Sequence, residues 1–132
     1  MPTELHVRTR SRADMVEITA QVQDAVAASG VQNGICVVYV PHTTAGVTIN
    51  EHADPDVAAD ILHALAHVVP DLPGFRHVEG NSDAHAKAAL IGTSQWLIVQ
   101  DRRLKLGRWQ GIFFCEFDGP RQRSVWVQVL PG

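Results

Sequence analysis

The chain has 132 residues, 45% hydrophobic and 19% charged, with a formal charge of −3. Such a length and composition read as a single domain, residues 1–132, with a core that needs no disulfide or metal staple. The acidic balance argues against general nucleic-acid binding, and no apolar stretch approaches the roughly 20 residues that span a bilayer. The opening MPTELHVRTRSRADM lacks the apolar centre of a signal peptide, so the expected location is cytoplasmic. Positive charge is nevertheless clustered, at Arg102, Arg103, Lys105 and Arg108 and again at Arg121 and Arg123, which leaves room for a small anionic ligand. Cys36 and Cys115 each sit inside an apolar run and fit no metal or redox spacing, so both are read as buried free thiols.

Glu4–Thr9 alternates apolar and polar residues and predicts a strand. A helix of about 16 residues is expected from Asp14, with Met15, Ile18, Val22, Ala25 and Val26 on one face and Gly30 as its stop. Ile35–Val40 is a continuous apolar strand ending at Pro41. Asp54 is placed as an N-cap, with Pro55 at the first helical position, on a helix running to about Val69. Its buried stripe is Val57, Ile61, Leu65 and Val68. Asn81–Ser82 caps a short helix through Leu90, closed by Gly92. Trp96–Val99, Trp109–Phe117 and Arg123–Leu130 are the remaining strands. Asp118-Gly119-Pro120 joins the last two as a hairpin. The expected fold class is α+β, with a mainly antiparallel sheet and about three helices.

Two stretches concentrate chemistry. If His42–Glu51 is extended, Ala45, Val47 and Ile49 face the core while His42, Thr44, Thr48 and Asn50 make a polar row on the other side. That row is either a solvated sheet face or one side of a site. His77–His85 packs two histidines, two carboxylates, an amide and a hydroxyl into nine residues around Gly80. His85 falls in the first turn of the expected helix, where the dipole favours neutral imidazole and free N–H groups suit a phosphate. The competing reading is a capped helix whose polar residues satisfy its own end. His63 and His67 stand at i, i+4 but opposite the buried stripe and without the glutamate of HExxH, so they are set aside as surface residues. His6 and His52 receive no role. Glu116 shares a strand face with Ile112 and Phe114 and should lie roughly opposite Arg123. It is either half of a cross-strand ion pair or a carboxylate held ready by an arginine, with Arg121 beside it as an anion clamp. Trp109 is read as site wall or core.

Three stretches, PHTTAGVTINEHADPDVAAD, HVEGNSDAHAKAALIG and LKLGRWQGIFFCEFDGPRQR, closely resemble the YjbQ family, described as secondary thiamine-phosphate synthases. The resemblance runs from Ile35 to the end and keeps every polar motif residue, including Asp118, Gly119 and Gln110; one departure is Trp96–Val99, where many relatives carry a proline-containing strand. It implies a homotrimer with a pocket near the subunit contacts. The implied activity joins hydroxymethylpyrimidine diphosphate to a thiazole phosphate and releases pyrophosphate.

Under this reading Thr43, Thr44, Asn50, Asn81, Ser82, Arg121 and Arg123 bind a small phosphorylated metabolite, with Mg²⁺ as a possible companion. The catalytic candidates are Glu116, Glu51 and His85. One alternative is a zinc-dependent hydrolase or lyase in which His42, His77 and His85 hold the metal and Glu116 or Glu51 is the base. Another is a non-catalytic module that binds the same metabolite.

Overall fold

Alternating and continuous apolar runs give eight strands in the computed structural model, which describes residues 1–132, together with three helices. In chain order they are β1 (Thr3–Arg8), β2 (Asp14–Glu17), α1 (Thr19–Ser29), β3 (Gly34–Tyr39), β4 (Ala45–Glu51) and α2 (Pro55–Val68). Then follow α3 (Ser82–Ile91), β5 (Ser94–Gln100), β6 (Arg103–Leu104), β7 (Gln110–Glu116) and β8 (Gln122–Pro131). A five-stranded sheet has the order β1-β8-β3-β5-β6, a three-stranded sheet the order β2-β7-β4. Every strand pairing is antiparallel, so the fold is α+β as expected. No helix is long and apolar enough to cross a membrane.

The core lies between the sheets. Val38, Leu97, Val99, Val125 and Val127 of the large sheet meet Val47, Ile112 and Phe114 of the small one, and Ile18, Val22 and Val26 fill in from α1. The other face of the small sheet carries Cys115, with Phe117 just beyond β7. Ala84 and Ala88 of α3 cover them, with Leu62 and Leu65 of α2 packed alongside. Both cysteines are free and buried, and burial pushes their thiols up to about 11 for Cys36 and about 12 for Cys115.

Local signals placed several boundaries well. The Asp54 side chain accepts from the Asp56 N–H at 2.9 Å, and Pro55 opens α2. Gly30 ends α1 in the left-handed region at φ 73°, which a residue without a Cβ adopts freely.

Four expectations need correction. Asp14–Glu17 is a strand, paired with Glu116–Phe113 of β7, and α1 begins only at Thr19. Met15-Val16 satisfies a two-residue period as readily as a helical one, and the open edge of β7 decides between them. Met15 therefore packs on the helix-covered side of the small sheet, away from Ile18. Secondly, β7 and β8 are not a hairpin, because they belong to different sheets and the turn carries the chain from one to the other. Thirdly, α2 buries its stripe only partly, and Val68 is 70% exposed, because the helix lies as an outer layer over the small sheet. Lastly, β6 was not foreseen. It returns on β5 through Asp101 and Arg102, both at positive φ, without the asparagine or glycine that usually announces such a turn.

Candidate functional site

The crossing between the sheets builds the site. Glu116 ends β7 on its inner face and is fully buried, while Arg123, the second residue of β8, lies on the facing side and is 5% exposed. Arg123 Nε donates to Glu116 Oε1 at 2.9 Å and its Nη2 to Glu116 Oε2. The same Nη2 also donates to Thr44 Oγ1 at 2.8 Å. Glu116 accepts in addition from the Thr9 hydroxyl at 2.8 Å and from the Asp118 N–H at 3.0 Å. Burial pulls the Glu116 pKa up, but the Arg123, Asp118 and Thr9 donors outweigh it and hold the carboxyl below its usual value. The predicted ion pair is thus present, spanning two sheets rather than two strands of one.

On this base stands a cavity of about 420 Å³ whose eleven lining residues include no hydrophobic one. It gathers His42, Thr43, Thr44, His77, Asn81, His85, Arg121 and Arg123 from the binding, catalytic and metal candidates, together with Pro41, Glu79 and Asp118. His42 comes from the bend between β3 and β4, and its Nε2 accepts the Ser124 N–H at 3.0 Å. A ring nitrogen that accepts is unprotonated, so the neutral ring carries its proton on Nδ1. Burial, with the positive charge of Arg123 nearby, lowers the His42 pKa and keeps the ring neutral near pH 7.

One pH effect follows. The unfolded chain takes up a proton on this histidine near pH about 6.5, whereas the folded chain resists it, so stability falls as pH drops below about 6.5. Replacing His42 with glutamine, which keeps an acceptor for Ser124, should flatten that part of the curve. Denaturant melts between about pH 5 and 7 measure it.

Asp118 organises the opposite wall. Its Oδ2 accepts from Asn81 Nδ2 at 2.8 Å and from Arg121 Nη2 at 3.1 Å, while Arg121 Nε donates to its backbone oxygen. Asn81 occupies the N-cap position of α3, but its side chain is turned to Asp118 instead of capping the helix. Its Oδ1 is the one buried side-chain polar atom without a partner. An unmade bond of this kind costs about 1–3 kcal/mol, which a donor from a ligand or water would recover.

Some predicted residues lie elsewhere. Asn50 Oδ1 accepts only from the Glu51 N–H, and Glu51 sits at the far end of β4 opposite Gln110. Glu51 lies seven positions beyond Thr44 along extended chain, about 23 Å at 3.3 Å per residue, so its carboxylate is remote from this cavity. Ser82 is not part of the cavity wall. Glu116, without exposed surface and with both oxygens engaged, acts on the site through Arg123. Trp109 is neither wall nor core: it is 55% exposed, with the Arg108 guanidinium 5.0 Å from its ring centroid.

His77 and His85 stand edge to face, ring centroids 5.3 Å apart. They do not join His42 as a ligand set, since no group of three or more His, Cys, Asp or Glu side chains is placed to hold a metal ion. His42 has in addition committed Nε2 to Ser124. The Asp118 carboxylate is bonded to Asn81 and Arg121.

Sequence reasoning missed two supports. Thr9 holds Glu116 and also receives the Arg121 N–H at 2.9 Å. Arg12 grips Asp83 of α3 with two bonds of 3.0 Å, holding that carboxyl below its usual range, and approaches Asp118 Oδ1 at 3.9 Å. Nothing in the run RTRSR singles out either residue.

Comparison with known proteins agrees with this fold. The family model described as "UPF0047 protein YjbQ-like" matches residues 3–132. UPF0047 protein MJ1081 of Methanocaldococcus jannaschii is 52% identical over 94% of this chain and 90% of its own. UPF0047 protein YugU of Bacillus subtilis is 46% identical over 96% of both. A crystal structure of a YjbQ/UPF0047 family protein from Clostridium acetobutylicum superposes with a TM-score of 0.95 at 52% identity, covering 97% of this chain and 99% of that one. A YbjQ-like protein of Sulfolobus solfataricus gives 0.95 at 33% identity, covering 100% and 97%. With its sheets, crossing turn and polar cavity in place, the chain belongs to the YjbQ/UPF0047 family.

Proposed function

We propose that the cavity binds a small phosphorylated metabolite and carries out a transfer in which pyrophosphate departs, of the secondary thiamine-phosphate synthase type. In that reaction the thiazole ring nitrogen supplies the electron pair of the new C–N bond. The C–O bond to the diphosphate breaks, and pyrophosphate leaves with its electrons. The bond-forming nitrogen carries no proton, so the step asks for no base. What it asks for is stabilisation of charge on the departing oxygens. The observation that carries the reading is a predominantly polar cavity whose lining brings together Arg121, Arg123 and neutral His42. Arg123 and its bond to Thr44 set the shape of the floor. Arg121 supplies charge, while the Thr43 hydroxyl supplies a neutral donor.

The test is pyrophosphate release from the two thiamine precursors by the purified protein, followed with and without added Mg²⁺. Release above the uncatalysed rate supports the reading. Binding that raises the melting temperature without product would instead make the chain a binding module. Turnover that tracks bound zinc and is lost on His85→Ala would favour the hydrolytic alternative.

We further propose that the assembly is a homotrimer. The outer face of the large sheet carries Trp96 at 66% exposure and Ile98 at 61%, beside Ile35 and Leu130. Ile35 pairs with both Ile98 and Leu130, so these side chains form one continuous patch of the kind that marks an interface. Light scattering should return three times the 14.4 kDa chain mass. Trp96→Glu should return the mass of one chain, and a wild-type monomer would sink the proposal.

A further inference from the structure

Beside the polar cavity lies a second one of about 550 Å³, and the two share Pro41, His42, Thr43 and His85 as a common wall. Its remaining surface is more apolar, with Val40, Ala88, Ala89 and Thr93 alongside Tyr39 and Trp126. Those two aromatic residues are cross-strand neighbours whose rings stack at 5.9 Å between centroids with 26° between planes. Trp126 Nε1 donates to Glu4 Oε1 at 3.1 Å, which fixes the indole before any ligand arrives. Tyr39 is still 43% exposed and Trp126 40%.

The geometry points to a two-part site: a phosphate-bearing head occupies the polar cavity, and a flat aromatic ring joined to it lies in the second cavity against Tyr39 and Trp126. This rests on the reading of the polar cavity as a phosphate site and adds where the rest of the ligand goes. A ring cannot share the polar compartment, because it would strip water from groups that it cannot bond. The neighbouring wall offers apolar surface and fixed aromatic planes, and each cavity is of small-molecule size. The ligand's head-to-ring junction then falls beside His42 and His85, where a transfer reaction would break its bond.

Calorimetric titration of the full chain with methyl phosphate and 1-naphthyl phosphate tests this, because the two carry the same charge and differ in the ring. The naphthyl ester should bind about tenfold tighter, the size expected for one good aromatic contact. Tyr39→Ala and Trp126→Ala, each checked for folding by circular dichroism, should remove most of that preference and leave methyl phosphate unchanged. Arg121→Ala should weaken both esters. Equal affinity of the two esters for the wild type, or a preference that survives both aromatic substitutions, overturns the ring subsite alone. If neither ester binds, the phosphate reading falls and the subsite with it. If Trp126→Ala changes the assembly mass but not the naphthyl preference, the aromatic pair is a subunit contact and the proposal is overturned.

Discussion

Replacing Glu116 with alanine is expected to cost about 3–5 kcal/mol of folding stability, the range for breaking a buried ion pair by removing one partner. Arg123 would keep its charge between the sheets with Thr44 as its remaining protein partner, and the Thr9 hydroxyl and Asp118 N–H would lose their acceptor. For a domain of this size the loss should lower the melting temperature by roughly 10–20 °C. Substituting both residues, as Glu116→Leu with Arg123→Met, should recover much of the loss, since a buried pair often does no better than apolar residues of similar volume. Glu116 also sets a pH dependence. Its pKa is held below the ordinary value, so its contribution is complete above about 4.3 and is lost as pH falls through the lower folded value. Calorimetric melts from neutral to acid pH check both effects. A loss below about 1 kcal/mol for Glu116→Ala would mean that the pair is not what joins the sheets here.

The second large effect is on turnover. Under the proposed transfer, Arg121→Ala is expected to slow pyrophosphate release by about 10²-fold, comparable with removing one donor that faces developing negative charge. Arg121 is the informative choice because it is half exposed and holds only Asp118, so its removal leaves no unpaired buried charge behind. Stability should move by no more than about 1 kcal/mol, which separates chemistry from folding. Asp118→Asn is a companion test. It keeps an oxygen for Asn81 but weakens its hold on Arg121, so a smaller loss in the same direction is expected. If Arg121→Ala leaves release unchanged, the charge on the leaving group is met elsewhere.

How far the sequence foretold these results depends on how local each signal is. Asp54-Pro55 and Gly30 act within one turn of chain, and both appear where they were placed. The dense stretch His77–His85 reached the cavity because its residues travel together on one short loop and helix start. Glu51 misled because spacing along a strand reveals which face a side chain takes but not that the strand runs away from the site. Asp14–Glu17 misled because four residues fit two periods, and only the neighbouring edge of β7 chooses. Thr9 and Arg12 were invisible for a plainer reason: Thr9 meets a partner 107 positions away and Arg12 one 71 positions away. Asp118-Gly119-Pro120 announced a break between two strands, yet turn chemistry says nothing about which sheet receives the outgoing strand.

That turn also constrains what the chain can tolerate. Glu116, Asp118, Arg121 and Arg123 all lie within eight consecutive residues, and each has its place in the network only at its present count along the backbone. Insertion or deletion of one residue here has two outcomes. Either the turn rebuilds itself around Asp118, or β8 slides by one against β1 and β3. A slide by one exchanges the two faces of a strand. Val125 and Val127 would leave the core, Trp126 would enter it, and Arg123 would turn away from Glu116. A length change in this segment should therefore act on binding and on folding together.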